Sequence, residues 1–146
     1  MKSKRVVKVK RTILGKGVFA KRSFKPDKIV GEICGDIMNS DFESDYCMHL
    51  DRKTVLEPVR PFRFLNHNCT PNCELLLWKR RKGAGKRVRR LWLRTIRRVK
   101  KGEQLTIDYA WPVDAAIPCL CTSERCRKWI VAEADLPKLL RRNMSA

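Results

Sequence analysis

Arg63-Phe64-Leu65-Asn66-His67-Asn68-Cys69-Thr70-Pro71-Asn72-Cys73 packs amides, an imidazole, two thiols and a proline into one short span. No ordinary helix or strand asks for that combination. Asn, His and Cys carry site chemistry, and Pro71 stiffens the turn behind them. Downstream, Gly102-Glu103-Gln104-Leu105-Thr106-Ile107-Asp108-Tyr109 reads as a turn and a strand ending in a polar pair. A third stretch follows, Cys119-Leu120-Cys121-Thr122-Ser123-Glu124-Arg125-Cys126. The expectation is one site assembled from three segments distant in sequence.

The chain of 146 residues suits a single domain with a real core. It has no long apolar run to span a membrane and no apolar block of signal-peptide type near Met1, so an intracellular protein is expected. In that setting seven cysteines read as metal ligands and buried thiols rather than disulfides. The net charge of +19 is unevenly spread. Residues 1–26 hold ten Lys/Arg and no acid, residues 27–57 hold eight acids against three bases, and the remainder is strongly basic. The acidic island points to a surface for a basic partner. The basic remainder suits a polyanion such as nucleic acid, or a solvated surface.

Most segments read as short strands separated by glycine turns. Arg5-Val6-Val7-Lys8-Val9-Lys10 alternates as a strand does, and Gly15-Lys16-Gly17-Val18 allows close backbone approach to a ligand. This GxG lacks the spacing of a Walker loop or a dinucleotide fingerprint. Residues 29–38 read as bent β-structure, residues 39–45 as an acidic loop, and residues 46–56 as a hairpin turning at Asp51-Arg52-Lys53. Cys34 and Cys47 are expected in the core, and His49 is expected to be structural or exposed. Two further strands flank a tip near Gly83 and Gly85. From Lys79 to Arg90, eight of twelve residues are basic and none is acidic, which makes this hairpin the candidate DNA contact. The last stretch, from Val131 to Arg142, is expected to hold a short helix interrupted near Pro137.

Cys119, Cys121 and Cys126 supply three thiolates within eight residues. Structural zinc needs four tetrahedral ligands, and Cys69 or Cys73 is the natural fourth. An iron–sulfur cluster would use the same ligands.

Taken together, the motifs resemble those of the SET-domain protein lysine methyltransferases, from about Gly15 to Ile130. Arg63 to Asn72 resembles the family's RFxNHSCxPN signature, and Gly102 to Tyr109 its GEELTxDY signature. Cys119-x-Cys-x4-Cys126-Arg127 resembles its post-SET zinc segment, and Gly15-Lys16-Gly17-Val18 its first cofactor loop. The resemblance implies a mainly β, β-clip-like fold of short curved sheets with a knot-like core. It implies a SET domain over 5–112, a post-SET zinc segment over 113–131 and a tail over 132–146. S-adenosylmethionine would lie on one face and a substrate lysine would enter from the other. Lys16, Gly17, Val18, Arg63, Asn66, His67, Trp129 and Ile130 would serve the cofactor. Tyr109 would be the catalytic tyrosine, with Tyr46, Leu75 and Ile107 along the lysine channel. Cys69 would join Cys119, Cys121 and Cys126 on one Zn2+. The implied substrate is a lysine in a basic protein, a histone being the commonest class. The compartment would be nuclear in a eukaryote and cytoplasmic in a prokaryote.

This chain departs from the pattern in places. Ile33 stands where a channel tyrosine is usual, and Asn68 where a serine is. Thr122 and Lys128 stand where glycines are common, and no pre-SET cysteine cluster precedes Gly15. Ile107 sits where an aromatic often governs methylation multiplicity, so an apolar group there is expected to admit di- or trimethylation. A second reading is a catalytically silent, zinc-stapled basic domain that binds nucleic acid.

Overall fold

The computed structural model describes residues 6–82 and 86–145, with the side chains of 79–88 outside that description. In chain order the strands are β1 (Val7–Thr12), β2 (Gly15–Ala20), β3 (Ile29–Ile33), β4 (Gly35–Asn39), β5 (Met48–His49), β6 (Thr54–Pro58), β7 (Asn66–His67), β8 (Cys73–Lys82), β9 (Lys86–Thr95), β10 (Gln104–Ile107), β11 (Ile117–Pro118) and β12 (Trp129–Ile130). A helix, α1 (Leu136–Met144), closes the described chain. The mainly β architecture and its several small sheets agree with the sequence reading.

Alternation explains the longest pairing. Along β8 and β9, Leu75 faces Leu93 and Leu77 faces Leu91. Leu91 and Leu93 are buried, and Leu75 and Leu77 pack against the same core. One residue off that register, Glu74 lies opposite Arg94 and the two form an ion pair. A period of two thus sends the buried leucines to one face, while the other carries the Glu74–Arg94 ion pair beside the half-buried Leu76 and Trp92. β3 adds to the free side of β9, with a bulge between Ile29 and Gly31. β4, β6 and β5 form a second three-stranded sheet. The hairpin expected across Asp51-Arg52-Lys53 is the β5–β6 pair. The tip of the basic hairpin, residues 83–85, lies outside the described residues.

The remaining sheet runs β1-β2-β10-β7. β1 and β2 are antiparallel, with Val7, Val18 and Ala20 buried. β10 pairs antiparallel with β2 and parallel with β7, where Thr106 meets Asn66 and Ile107 meets His67. A two-residue parallel pairing has little hydrogen bonding of its own. Asn72 reinforces it from the side. Its Nδ2 donates to the Gln104 carbonyl at 2.7 Å, and its Oδ1 accepts from the Thr106 N–H at 2.9 Å. Its own carbonyl accepts from the Ile96 N–H at 2.9 Å. At 1 % exposure the Asn72 side chain has protein rather than water for partners.

Two expectations need correction. Pro137 does not interrupt the C-terminal helix; it lies in the first turn of α1, where the missing N–H costs nothing. Cys34 is exposed, not in the core. It falls between β3 and β4, where the chain leaves one sheet for another, and Cys47 is half-buried.

Replacing Asn72 by Ala leaves the Thr106 N–H and the Gln104 carbonyl without these partners. At about 1–3 kcal/mol per stranded buried group, a loss of about 2–4 kcal/mol is expected in urea denaturation. A loss below about 1 kcal/mol would show that the pairing stands without the amide.

Candidate active site and thiolate centre

Tyr109 follows β10 by two residues, and the parallel pairing places it beside β7. Its N–H donates to His67 Nδ1 at 3.0 Å, and its hydroxyl donates to the Leu65 carbonyl at 2.5 Å. Its ring stacks on Trp111 with centroids 5.2 Å apart. Burial pushes the phenol up to about 12, so it stays neutral across the physiological range.

Two cavities meet at this tyrosine. The narrower, about 220 Å3, is lined by Met48, Leu75 and Ile107, with Cys47, His49 and Asp108 also along it. The wider, about 630 Å3, is lined by Leu14, Gly15, Lys16, Phe64, Asn66, Ile117 and Ile130. Asp45, Tyr46, Arg63, Leu65, Tyr109 and Trp111 border both. Arg63 holds this shared wall in place. Its guanidinium lies 4.1 Å above the Tyr46 ring and 3.8 Å from Glu57.

Asn66 projects toward the first glycine loop. Its Nδ2 donates to the Lys16 carbonyl at 3.0 Å and to Gln104 Oε1 at 2.9 Å. Gly17 permits this approach. A Cβ there would sit 2.4 Å from Gln104 Oε1 and 3.2 Å from Asn66 Nδ2. The neighbouring Val18 is fully buried in the core. Trp129 is half-buried on β12, opposite Pro118, and only its neighbour Ile130 borders the wider cavity.

The Sγ atoms of Cys69, Cys119, Cys121 and Cys126 all lie within 4.8 Å of one another, and those of Cys69 and Cys119 are 3.8 Å apart. Four thiolates bound to one zinc at about 2.3 Å stand about 3.8 Å from each other, so the cluster fits that ion. Four sulfurs leave no open coordination position, as in structural rather than catalytic sites. Cys73, the other candidate ligand, is buried in the core, and burial pushes its thiol up to about 12. Burial also raises Cys69 and Cys119. Burial opposes ionisation of Cys121 too, yet surrounding hydrogen bonds bring it down to about 7. The N–H of Arg127 points at Cys69 Sγ and that of Lys128 at Cys126 Sγ, each at 3.3 Å. Thr122 and Lys128 have φ of 60° and 69°. These are the two positions where the resemblance led us to expect glycine, and the backbone keeps glycine's conformation there.

β11 and β12 pair across the base of the cysteine segment. Arg127 ties the segment back to the site: it donates to Asp108 Oδ1 at 2.8 Å and to the Val131 carbonyl at 3.0 Å. Sequence reasoning passed over Leu65, Trp111, Asn72 and Asp108. Leu65 acts through its carbonyl, which no side-chain pattern reports. Asn72 and Asp108 lie inside the quoted motifs, and their polarity next to buried neighbours was the available signal.

Comparison with protein families matches the SET domain over residues 15–110, so this chain belongs to the SET domain family. It is similar to "Histone-lysine N-methyltransferase set-2" of Caenorhabditis elegans, 31% identical over 145 residues, which covers 87% of this chain and 9% of that protein. It is similar also to "Histone-lysine N-methyltransferase, H3 lysine-4 specific" of Emericella nidulans, 32% identical over 100 residues, with 64% of this chain and 8% of the relative covered. A human relative, "Histone-lysine N-methyltransferase 2B", is 29% identical over 149 residues, covering 88% of this chain and 5% of its own length. The chain therefore spans less than a tenth of these relatives. Among the described residues no helix is long and apolar enough to cross a membrane.

Because Cys69 and Cys119 must lose raised-pKa protons to bind metal, zinc affinity is expected to fall steadily from about pH 8 to about pH 6. Competition with a chromophoric chelator measures this. A flat profile would mean that the thiols are not the ligands.

Proposed function

We propose that this chain is a protein-lysine N-methyltransferase that uses S-adenosylmethionine and acts on lysine in a basic protein, with a histone as the first candidate. The observation that carries the reading is Tyr109 on a wall shared by a narrow cavity and a wider one. The relatives' names support the reaction, and the family supports the methyl donor. A chromatin substrate would put the protein in the nucleus.

The wider cavity suits the cofactor. Its volume lies in the usual range for ligand pockets, with mostly apolar walls and a few polar groups. Asn66 spends its amide hydrogens on Lys16 and Gln104, so its Oδ1 is the group left to accept from a ligand. Lys16, Arg63 and Ile130 would line the same ligand. S-adenosylmethionine supplies a methyl group on a positively charged sulfur.

The narrower cavity suits an extended lysine side chain. Met48, Leu65, Leu75 and Ile107 give it apolar walls, which disfavour the ammonium and favour the neutral amine. Asp45, at the border of both cavities, belongs to the acidic stretch and would favour a basic peptide. Tyr109 cannot act as a phenolate base near neutral pH. Its hydroxyl hydrogen is committed to Leu65, which leaves the oxygen to orient the incoming amine. Catalysis then rests on alignment of the reacting groups. The zinc-stapled segment closes the site through Arg127 and Ile130. The proposed domain limits stay at 5–112, 113–131 and 132–146. A DNA contact by residues 79–90 rests on their sequence, and nothing in the cavities or the comparisons adds support for a catalytically silent nucleic-acid-binding module.

The test is transfer of labelled methyl from S-adenosylmethionine to a panel of basic proteins. Tyr109→Phe is expected to lower kcat about 100-fold while cofactor affinity, read by calorimetry, stays within about threefold. Absence of cofactor binding by the wild type would overturn the proposal. Ile107 offers no hydroxyl to hold a water in the channel, so di- and trimethyl-lysine should appear by mass spectrometry. Ile107→Tyr should shift the product toward monomethyl-lysine, and monomethyl product alone from the wild type would refute the assignment.

A further inference from the structure

His67 sits between the two halves of the site, and its ring is committed on both sides. The Tyr109 N–H donates to Nδ1 at 3.0 Å. A nitrogen that accepts carries no proton, so a neutral ring has its hydrogen on Nε2. Nε2 lies 3.3 Å from Cys69 Sγ, one of the four clustered sulfurs. The side chain is 2 % exposed and borders neither cavity. Asp108 Oδ1 lies 3.6 Å from Nδ1 but is taken by Arg127 and by the Ala110 N–H.

We infer that His67 is a positioning residue: its ring ties the main chain of Tyr109 to the Cys69 thiolate, and its side chain serves neither ligand cavity. The inference rests on reading the four cysteines as a metal centre. The physical logic is that of an outer-sphere partner. An N–H aimed at a metal-bound sulfur draws charge from it and fixes its orientation. Here the same ring also fixes the backbone that carries the tyrosine. Two residues along, the Tyr109 hydroxyl closes on Leu65, the residue just before β7, so the tether acts on both ends of the shared wall. A ligand approaching this segment would meet main chain, because the imidazole is turned into the protein.

Two shape-mimicking variants separate the halves of the tether. The side-chain oxygen of Asn in His67→Asn reaches the place of Nδ1 and can accept from Tyr109, but nothing then reaches Cys69. The amide nitrogen of Gln in His67→Gln reaches the place of Nε2 and can donate to Cys69, but leaves the Tyr109 N–H unserved. The readouts are the thiolate-to-metal charge-transfer band of the cobalt(II)-loaded protein and hydrogen exchange at the Tyr109 amide of the zinc-loaded protein. In His67→Asn the cobalt band should shift and metal transfer to a chelator should quicken about tenfold, with the Tyr109 amide still protected. In His67→Gln the band should match the wild type, while the Tyr109 amide exchanges about tenfold faster. Both readouts unchanged in both variants, or both disturbed alike in both, overturns the inference. Failure of the wild type to take up cobalt overturns it together with the metal centre, whereas uptake with unresponsive variants overturns it alone. Should the variants not fold, the ring 15N spectrum of the wild-type zinc protein decides: an Nε2–H tautomer supports the tether, and an Nδ1–H tautomer overturns it.

Discussion

A single buried carboxamide holds the centre of this protein together. Asn72 donates to one backbone group of β10 and accepts from another two residues on, and its own carbonyl holds the end of the β8–β9 hairpin. β10 is thereby fixed against β7, although they share only two paired residues. Everything with chemistry follows from that placement. Asn66 and His67 form β7, Tyr109 lies just beyond β10, and Cys69 lies between β7 and Asn72. Buried amides are costly unless fully served, and a fully served one specifies a unique arrangement.

The site divides its labour between stiffness and charge. Tyr109 is neutral, half-buried and tied at both its N–H and its hydroxyl. Arg63 on Tyr46, Arg127 on Asp108 and Asn66 on Lys16 each fix one wall. None of these groups is a strong base. The arrangement suits a reaction in which two partners occupy adjoining cavities and need only to be aligned, which is what the proposed methyl transfer demands. Burial keeps the His67 ring neutral, with Asp108 working against that effect and Arg127 reinforcing it.

The sequence was most legible where chemistry and spacing coincide. The Asn-His stretch, the segment ending in Tyr109 and the three downstream cysteines stand out by residue type, and the structure gathers them in space. Strand alternation made β8 and β9 readable. The β7–β10 pairing was illegible as geometry, because two residues carry no period. Leu65 was invisible, because it acts through a carbonyl. Cys34 was misread, because a small apolar residue at a break between sheets looks like one inside a strand. Pro137 was read as a breaker, when the first helical turn is where proline fits. Gly17 was read as a point of close backbone approach, and the side chains of Gln104 and Asn66 lie where a Cβ there would stand.

The parallel pairing of β7 with β10 also dictates an order of assembly. The 36 residues between the two strands include the whole β8–β9 hairpin, which closes locally and can form while the chain is still growing. β10 must then be laid against a strand made long before it, and the thiol cluster waits for Cys126, the last of its members to leave the ribosome. Until Cys126 is made, Cys69 lacks its full set of sulfur neighbours. The site can therefore be completed only after the whole sequence of the hairpin has been made. Its members lie on both sides of that hairpin, so neither end of the chain can build the site alone.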